Sequence, residues 1–213
     1  MVKRKISFTA EDRKRIEDAV AAVEKKTSGE IVPFVVESSS GYRWVHLLWP
    51  MVGWLIASSA ILIHAMTSHF PTSVSHSITY QTLVAVVMFA ISFIPAVKRA
   101  SIPAYMKDEK VETKCHATFL RAGLTKTKSR TGVLIFFSLF ERRIVIWADE
   151  GIFKKVPQEF WKQQVDNLVK GIHEGRAVDL LCEIIHSVGV KLAENFPIDP
   201  NDINELSDSL RTE

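Results

Sequence analysis

The sequence predicts an α/β fold: a compact sandwich of amphipathic helices on a small sheet, with a two-helix transmembrane hairpin inserted into it. Three observations predict it. Residues 44–97 contain no Asp, Glu, Lys or Arg, although charged residues make up 24% of the chain. Outside that stretch, short β-branched and aromatic runs alternate with longer segments whose apolar residues recur at helical spacing. Turn residues punctuate the joints between them.

The first element is a helix. Thr9 and Asp12 have the spacing of a capping box, and Ile16, Ala19, Val20 and Val23 fall on one face. Gly29, after Thr27 and Ser28, is the expected stop. Ile31–Val36 reads as a strand, and Pro33 within it argues for an edge position or a bulge. Ser38–Gly41 reads as a flexible joint.

The hairpin follows, with spans expected at 44–66 and 78–97. At about 1.5 Å rise per residue each crosses roughly 30 Å of hydrocarbon. Core helices of soluble proteins rarely run so long without a charge, and the first run starts too late for a signal peptide. Pro50 can kink the first span. Lys25, Lys26 and Arg43 precede the hairpin, and Lys98, Arg99, Lys107, Lys110 and Lys114 follow it, whereas the link between the spans has no Lys or Arg. Both chain ends are therefore expected in the cytoplasm. His64, His69 and His76 near the outer end read as solvated side chains ahead of a metal or proton site.

Beyond the hairpin, Lys107–Ala122 reads as a helix carrying Val111, Cys115 and Phe119, stopped by Gly123. Val133–Phe140 is apolar enough to be a strand buried on both faces. Glu141–Arg143 turns it into Ile144–Ala148, forming a hairpin closed by Asp149, Glu150 and Gly151. Two helices are expected next, about Pro157–Glu174 and from Ala177 to Leu192. Residues 198–213, with five acids to one base, read as an acidic, mobile tail.

The segments "GEIVPFVV" and "FLRAGLTKTKSRTGVLIFFSLFERRIVIWADEGI", followed by "FW" and two helices, resemble the TPM domain family. The likeness is to the bacterial branch that carries a membrane hairpin inside the domain, over about Ser7 to Pro197. Residues Arg130–Gly151 are its specific part. The resemblance implies an αβα sandwich made of residues 1–43 and 98–197 around the 44–97 hairpin, and a place in the bacterial inner membrane. It also implies either assembly or repair of membrane complexes, or a divalent-metal-dependent phosphatase activity.

Composition excludes little else. A net charge of +3 does not point to nucleic acid, and a basic rim facing anionic lipid accounts for it. The two cysteines, Cys115 and Cys182, read as reduced thiols. No P-loop or Asp-x-Asp pattern is present, which counts against an enzyme. Two spans without a charge offer a transporter little pathway unless the protein oligomerises, which the sequence leaves open.

Topology picks out one candidate site. If the first two strands are parallel and the third runs back, Glu30, Arg130–Thr131–Gly132 and Asp149–Glu150–Gly151 meet at one end of the sheet. Glu30, Asp149 and Glu150 are candidate ligands for calcium or magnesium. Arg130, Thr131 and Gly132 are a candidate anion cradle. The competing reading is an Arg130–Asp149 ion pair that pins the end of the hairpin. Cys182 with His186, adjacent Cys115 and His116, and the basic loop of Lys126, Lys128 and Arg130 are weaker candidates. The expected partners are the lipid bilayer and another membrane protein.

Overall fold

A computed structural model describes residues 8–68, 73–157, 159–161, 163–164, 177–199 and 205–213. The chain divides into two compact units, Met1–Ser39 with Asp108–Glu213, and Ser40–Lys107.

The first unit opens with α1 (Ala10–Glu24), started by the expected capping box: the Asp12 amide donates to Thr9 Oγ1 and the Thr9 amide to Asp12 Oδ2. The helix stops short of Gly29. Thr27 and Ser28 leave it to bond Phe196, at 2.6 Å from Thr27 Oγ1 to the Phe196 carbonyl. Strand β1 (Glu30–Val36) pairs in parallel with β2 (Gly132–Ser138), which pairs antiparallel with β3 (Arg143–Ala148). Between them come α5 (Ala104–Arg121), within which the division between units falls, then Gly123 at φ +80° and one 3-10 turn. That φ is the left-handed cap a helix-ending glycine supplies without strain.

Alternation sorts the sheet residues into two layers. Ile31, Val35, Val133, Ile135 and Phe137 join α1 and α7 (Ala177–Asn195) in one core. Val32, Val36, Leu134 and Phe136 meet Val111, Cys115 and Phe119 of α5 in the other. Helices thus cover both faces, and β2 is buried throughout, as its composition predicts. The helix α1 packs on α7 at a glycine: a Cβ on Gly189 would lie 1.9 Å from Val23 Cγ1.

Three expectations are corrected here. The tail expected at 198–213 is not loose over its described residues 205–213: Arg211–Thr212 form β4, parallel to β1, giving the order β3-β2-β1-β4. Leu210 is buried in the first core, which supplies the apolar burial that acidic composition alone conceals. The joint at Ser38–Ser39 is pinned, because buried Glu141 accepts from Ser38 Oγ at 3.1 Å, from the Ser39 amide at 2.9 Å, and from Ser138 Oγ. A short helix, α6 (Glu150–Phe153), follows β3 where only a closing turn was expected. The helix expected at Pro157–Glu174 lies largely outside the described residues, as does His69.

The second unit holds α2 (Val45–Thr67), α3 (Val74–Ile91) and α4 (Pro95–Ser101). The second apolar run is not one helix through residue 97. Ile94 is extended ahead of Pro95, as the residue before a proline must be, and the chain restarts as α4. The helices α2 and α3 are long and apolar enough to cross a membrane. They meet over small residues: a Cβ on Gly53 would lie 2.6 Å from Met88 Cγ, and Ala57, one turn on, is buried. Gln81 Nε2 donates to Ser58 Oγ across the pair at 3.1 Å.

Candidate functional site

The parallel β1–β2 pair and the returning β3 bring Glu30, Arg130–Gly132 and Asp149–Gly151 to one end of the sheet. Glu30 stands opposite Gly132, and Val133 opposite Ala148. The Glu30 amide donates to the Thr131 carbonyl at 3.1 Å, and the Asp149 amide to the Gly132 carbonyl at 2.9 Å. Both glycines are needed for close approach. A Cβ on Gly132 would sit 2.8 Å from the Leu124 carbonyl oxygen, and one on Gly151 2.7 Å from that of Arg130.

The side chains separate into two groups. Buried Asp149 places Oδ2 2.9 Å from Arg130 Nε and accepts from the Glu150 amide at 2.7 Å, capping α6. Arg130 Nη1 also donates to the Thr125 carbonyl at 3.2 Å. Glu150 turns outward to Lys154 at 2.8 Å, and that hydrogen bond and charge hold its carboxyl below the usual range. In the anion candidate, the Arg130 amide donates to the Thr127 carbonyl and the Thr131 amide to Thr127 Oγ1. The Thr131 hydroxyl donates to the Ser28 carbonyl.

Glu30 belongs to the other group. Buried itself, it walls a polar cavity of about 510 Å³ with Ser28, Thr131, Lys128, Lys155, Asp199 and Glu205. Its Oε1 accepts from the Glu205 amide at 2.9 Å, while Glu205 accepts from the Lys128 amide at 2.9 Å. On its other side a cavity of about 240 Å³ is lined by Glu24, Lys25 and Asp208. Glu24 accepts from the Ile31 amide at 2.9 Å. Burial pushes its carboxyl up to about 8, and the charges of Glu30 and Asp208 push the same way against the Ile31 bond.

Sequence reasoning missed Glu24, Lys155, Glu205 and Asp208. Nothing local signals them, since Glu30 and Glu205 are 175 positions apart. The other candidates are spread through the fold. Cys115 is buried in the second core, its thiol pushed up to about 12 by burial. Cys182 packs beside the first core, with its thiol also raised by burial. The His116 ring lies 5.1 Å from that of Trp147. Among the described residues, no three His, Cys, Asp or Glu side chains converge as a metal site would require.

The chain is similar to one solved structure, the NMR structure of the BA42 protein from the psychrophilic bacterium Bizionia argentinensis. Identity is 22%, coverage is 100% of both chains and the TM-score is 0.61, which is a likeness of fold. No family model matches the chain, and no curated protein matches it.

Proposed function

We propose that this chain is a membrane-anchored binding module of the TPM type. In this reading α2 and α3 cross the bacterial inner membrane as a hairpin with both chain ends in the cytoplasm. The α/β unit then docks another membrane protein, in the assembly, repair or quality control of membrane complexes. One observation carries it: the large apolar side chains of α2 and α3 point outward, with Trp54 51%, Leu62 62% and Leu83 58% exposed. Each such side chain left in water forgoes about 1.5–3 kcal/mol that an apolar surround would return. Lipid is the surround that two helices of this length fit.

What supports binding over catalysis is the state of the sheet end. Asp149 is engaged by Arg130 and the Glu150 amide, and the Thr131 hydroxyl by Ser28. Among the described residues, the carboxylates expected to hold calcium or magnesium do not converge as a group of three.

A second reading, a metal-dependent phosphatase, draws on the cavity where buried Glu30 lies near Lys128 and Lys155. Two experiments separate the readings. Carbonate extraction of membranes, followed by pull-down in mild detergent, should leave the protein in the pellet and recover a discrete membrane partner. Hydrolysis of a generic phosphate ester, dependent on calcium, magnesium or manganese, would instead favour the phosphatase.

A further inference from the structure

The outer edge of β1 carries the inference. Hydrogen bonds toward β2 come from even positions: the Glu30 amide donates to Thr131, and the Val36 carbonyl accepts from Leu139. Odd positions therefore face outward. There the Ile31 amide is taken by the Glu24 side chain, and Pro33 has no amide to offer. The Val35 carbonyl accepts from the Glu213 amide at 3.1 Å, and the Glu37 amide donates to the Glu213 carbonyl at 3.3 Å. A ladder of two residues thus covers this edge, Phe34 and Val35 against Arg211 and Thr212.

Side chains hold the covering segment at both ends. Leu210 inserts into the first core, and Glu213 reaches Lys114 at 3.3 Å and Arg121 at 3.8 Å. At the other end Asp208 is placed against Glu24 and Glu30, in a small cavity that Lys25 also lines. Three carboxyl groups in one partly buried space oppose closure wherever all are ionised.

We propose that residues 205–213 are a displaceable strap, holding the β1 edge for an extended strand of a partner protein. The crowding of Glu24, Glu30 and Asp208 sets how tightly the strap closes. The proposal rests on the binding-module reading and names its docking edge. The strap itself describes the partner strand: parallel to β1, with a leucine to fill the Leu210 position and a carboxylate three residues on for Lys114 and Arg121. A partner with a neutral residue in place of Asp208 escapes the carboxylate crowding and outcompetes the strap.

The sign of the pH dependence follows from Glu24, whose proton is held more tightly in the closed form than its ordinary value of 4.5 allows. Closure is fully supported below that ordinary value and weakens as pH rises toward about 8. Above that it levels off.

The test uses the full chain in detergent micelles. Hydrogen exchange of the Glu37 and Glu213 amides is compared with that of Leu139, which bonds the inner edge of β1. From about pH 5 to about pH 8.5, strap protection should fall about tenfold further than that of Leu139, and Glu24→Gln should abolish the difference. In the second arm a labelled peptide with the sequence of residues 205–213 is titrated into Leu210→Asp, which should eject the strap. Glu213→Pro, which removes the Val35 bond without touching the core, does the same if Leu210→Asp does not fold. The peptide should bind and restore protection at Glu37, and its Asp208→Asn form should bind more tightly at the higher pH.

Strap protection equal to that of Leu139 at every pH, or no peptide binding by either folded variant, would overturn the proposal. Neither readout involves the bilayer or a captured partner. Failure of membrane retention or pull-down would therefore sink the anchor reading separately.

Discussion

Arg130 holds Asp149 from a left-handed backbone. Its φ is 55°, its Nε lies 2.9 Å from Asp149 Oδ2, and the pair closes the end of the sheet where β2 begins and β3 stops. Arg130 is 51% exposed and Asp149 4%. The attraction therefore acts on a carboxylate that has given up most of its water, and its loss is felt chiefly there.

Arg130→Ala should destabilise the α/β unit by about 1–3 kcal/mol, because Asp149 keeps only the Glu150 amide. Arg130→Gly should cost about 1 kcal/mol less than Arg130→Ala, since glycine relieves the left-handed φ. Urea unfolding of both variants measures the difference. Asp149→Asn should lower stability and leave calorimetric titrations with calcium, magnesium and manganese the same as wild type. A heat of binding present in wild type and missing in Asp149→Asn would make Asp149 a ligand instead.

Glu141 should be worth more than its surface turn suggests. Glu141→Ala removes the carboxylate that the Ser38 and Ser138 hydroxyls and the Ser39 amide share, at a cost of about 2–4 kcal/mol. Limited proteolysis should then cut near Ser38–Gly41, where wild type resists. Glu141→Gln keeps the shape and should fall between the two.

Gly189→Ala should overpack the contact between α1 and α7 and cost about 1–3 kcal/mol. Val23→Ala creates space at the same point, so the double variant should recover part of the loss. Additive thermal shifts in the double-mutant cycle would show that the two residues do not press on each other.

Topology is open to a labelling test. A cysteine at Ser73, between α2 and α3, should react with an impermeant maleimide on intact cells, and a reporter fused after Glu213 should read as cytoplasmic. Reaction at residue 73 only after permeabilisation would invert the hairpin.

The sequence by itself determined what periodicity and local chemistry encode. The capping box of Thr9 and Asp12, the left-handed Gly123, the doubly buried β2 and the meeting of Glu30, Arg130 and Asp149 at one sheet end were all legible, because each follows from short-range pattern or strand direction. Only the tertiary structure decided which groups touch. Residues 198–213 read as an acidic, mobile tail because propensity scores neither the burial of Leu210 nor the ladder that β1 offers to Arg211 and Thr212. No local pattern marks Glu24 or Glu205, yet one caps the Ile31 amide beside a cavity and the other binds the Lys128 amide from 77 positions away. Hydrogen bonds and charge crowding depend on distance in space, and a chain folded back on its own sheet edge brings together residues that no local pattern relates.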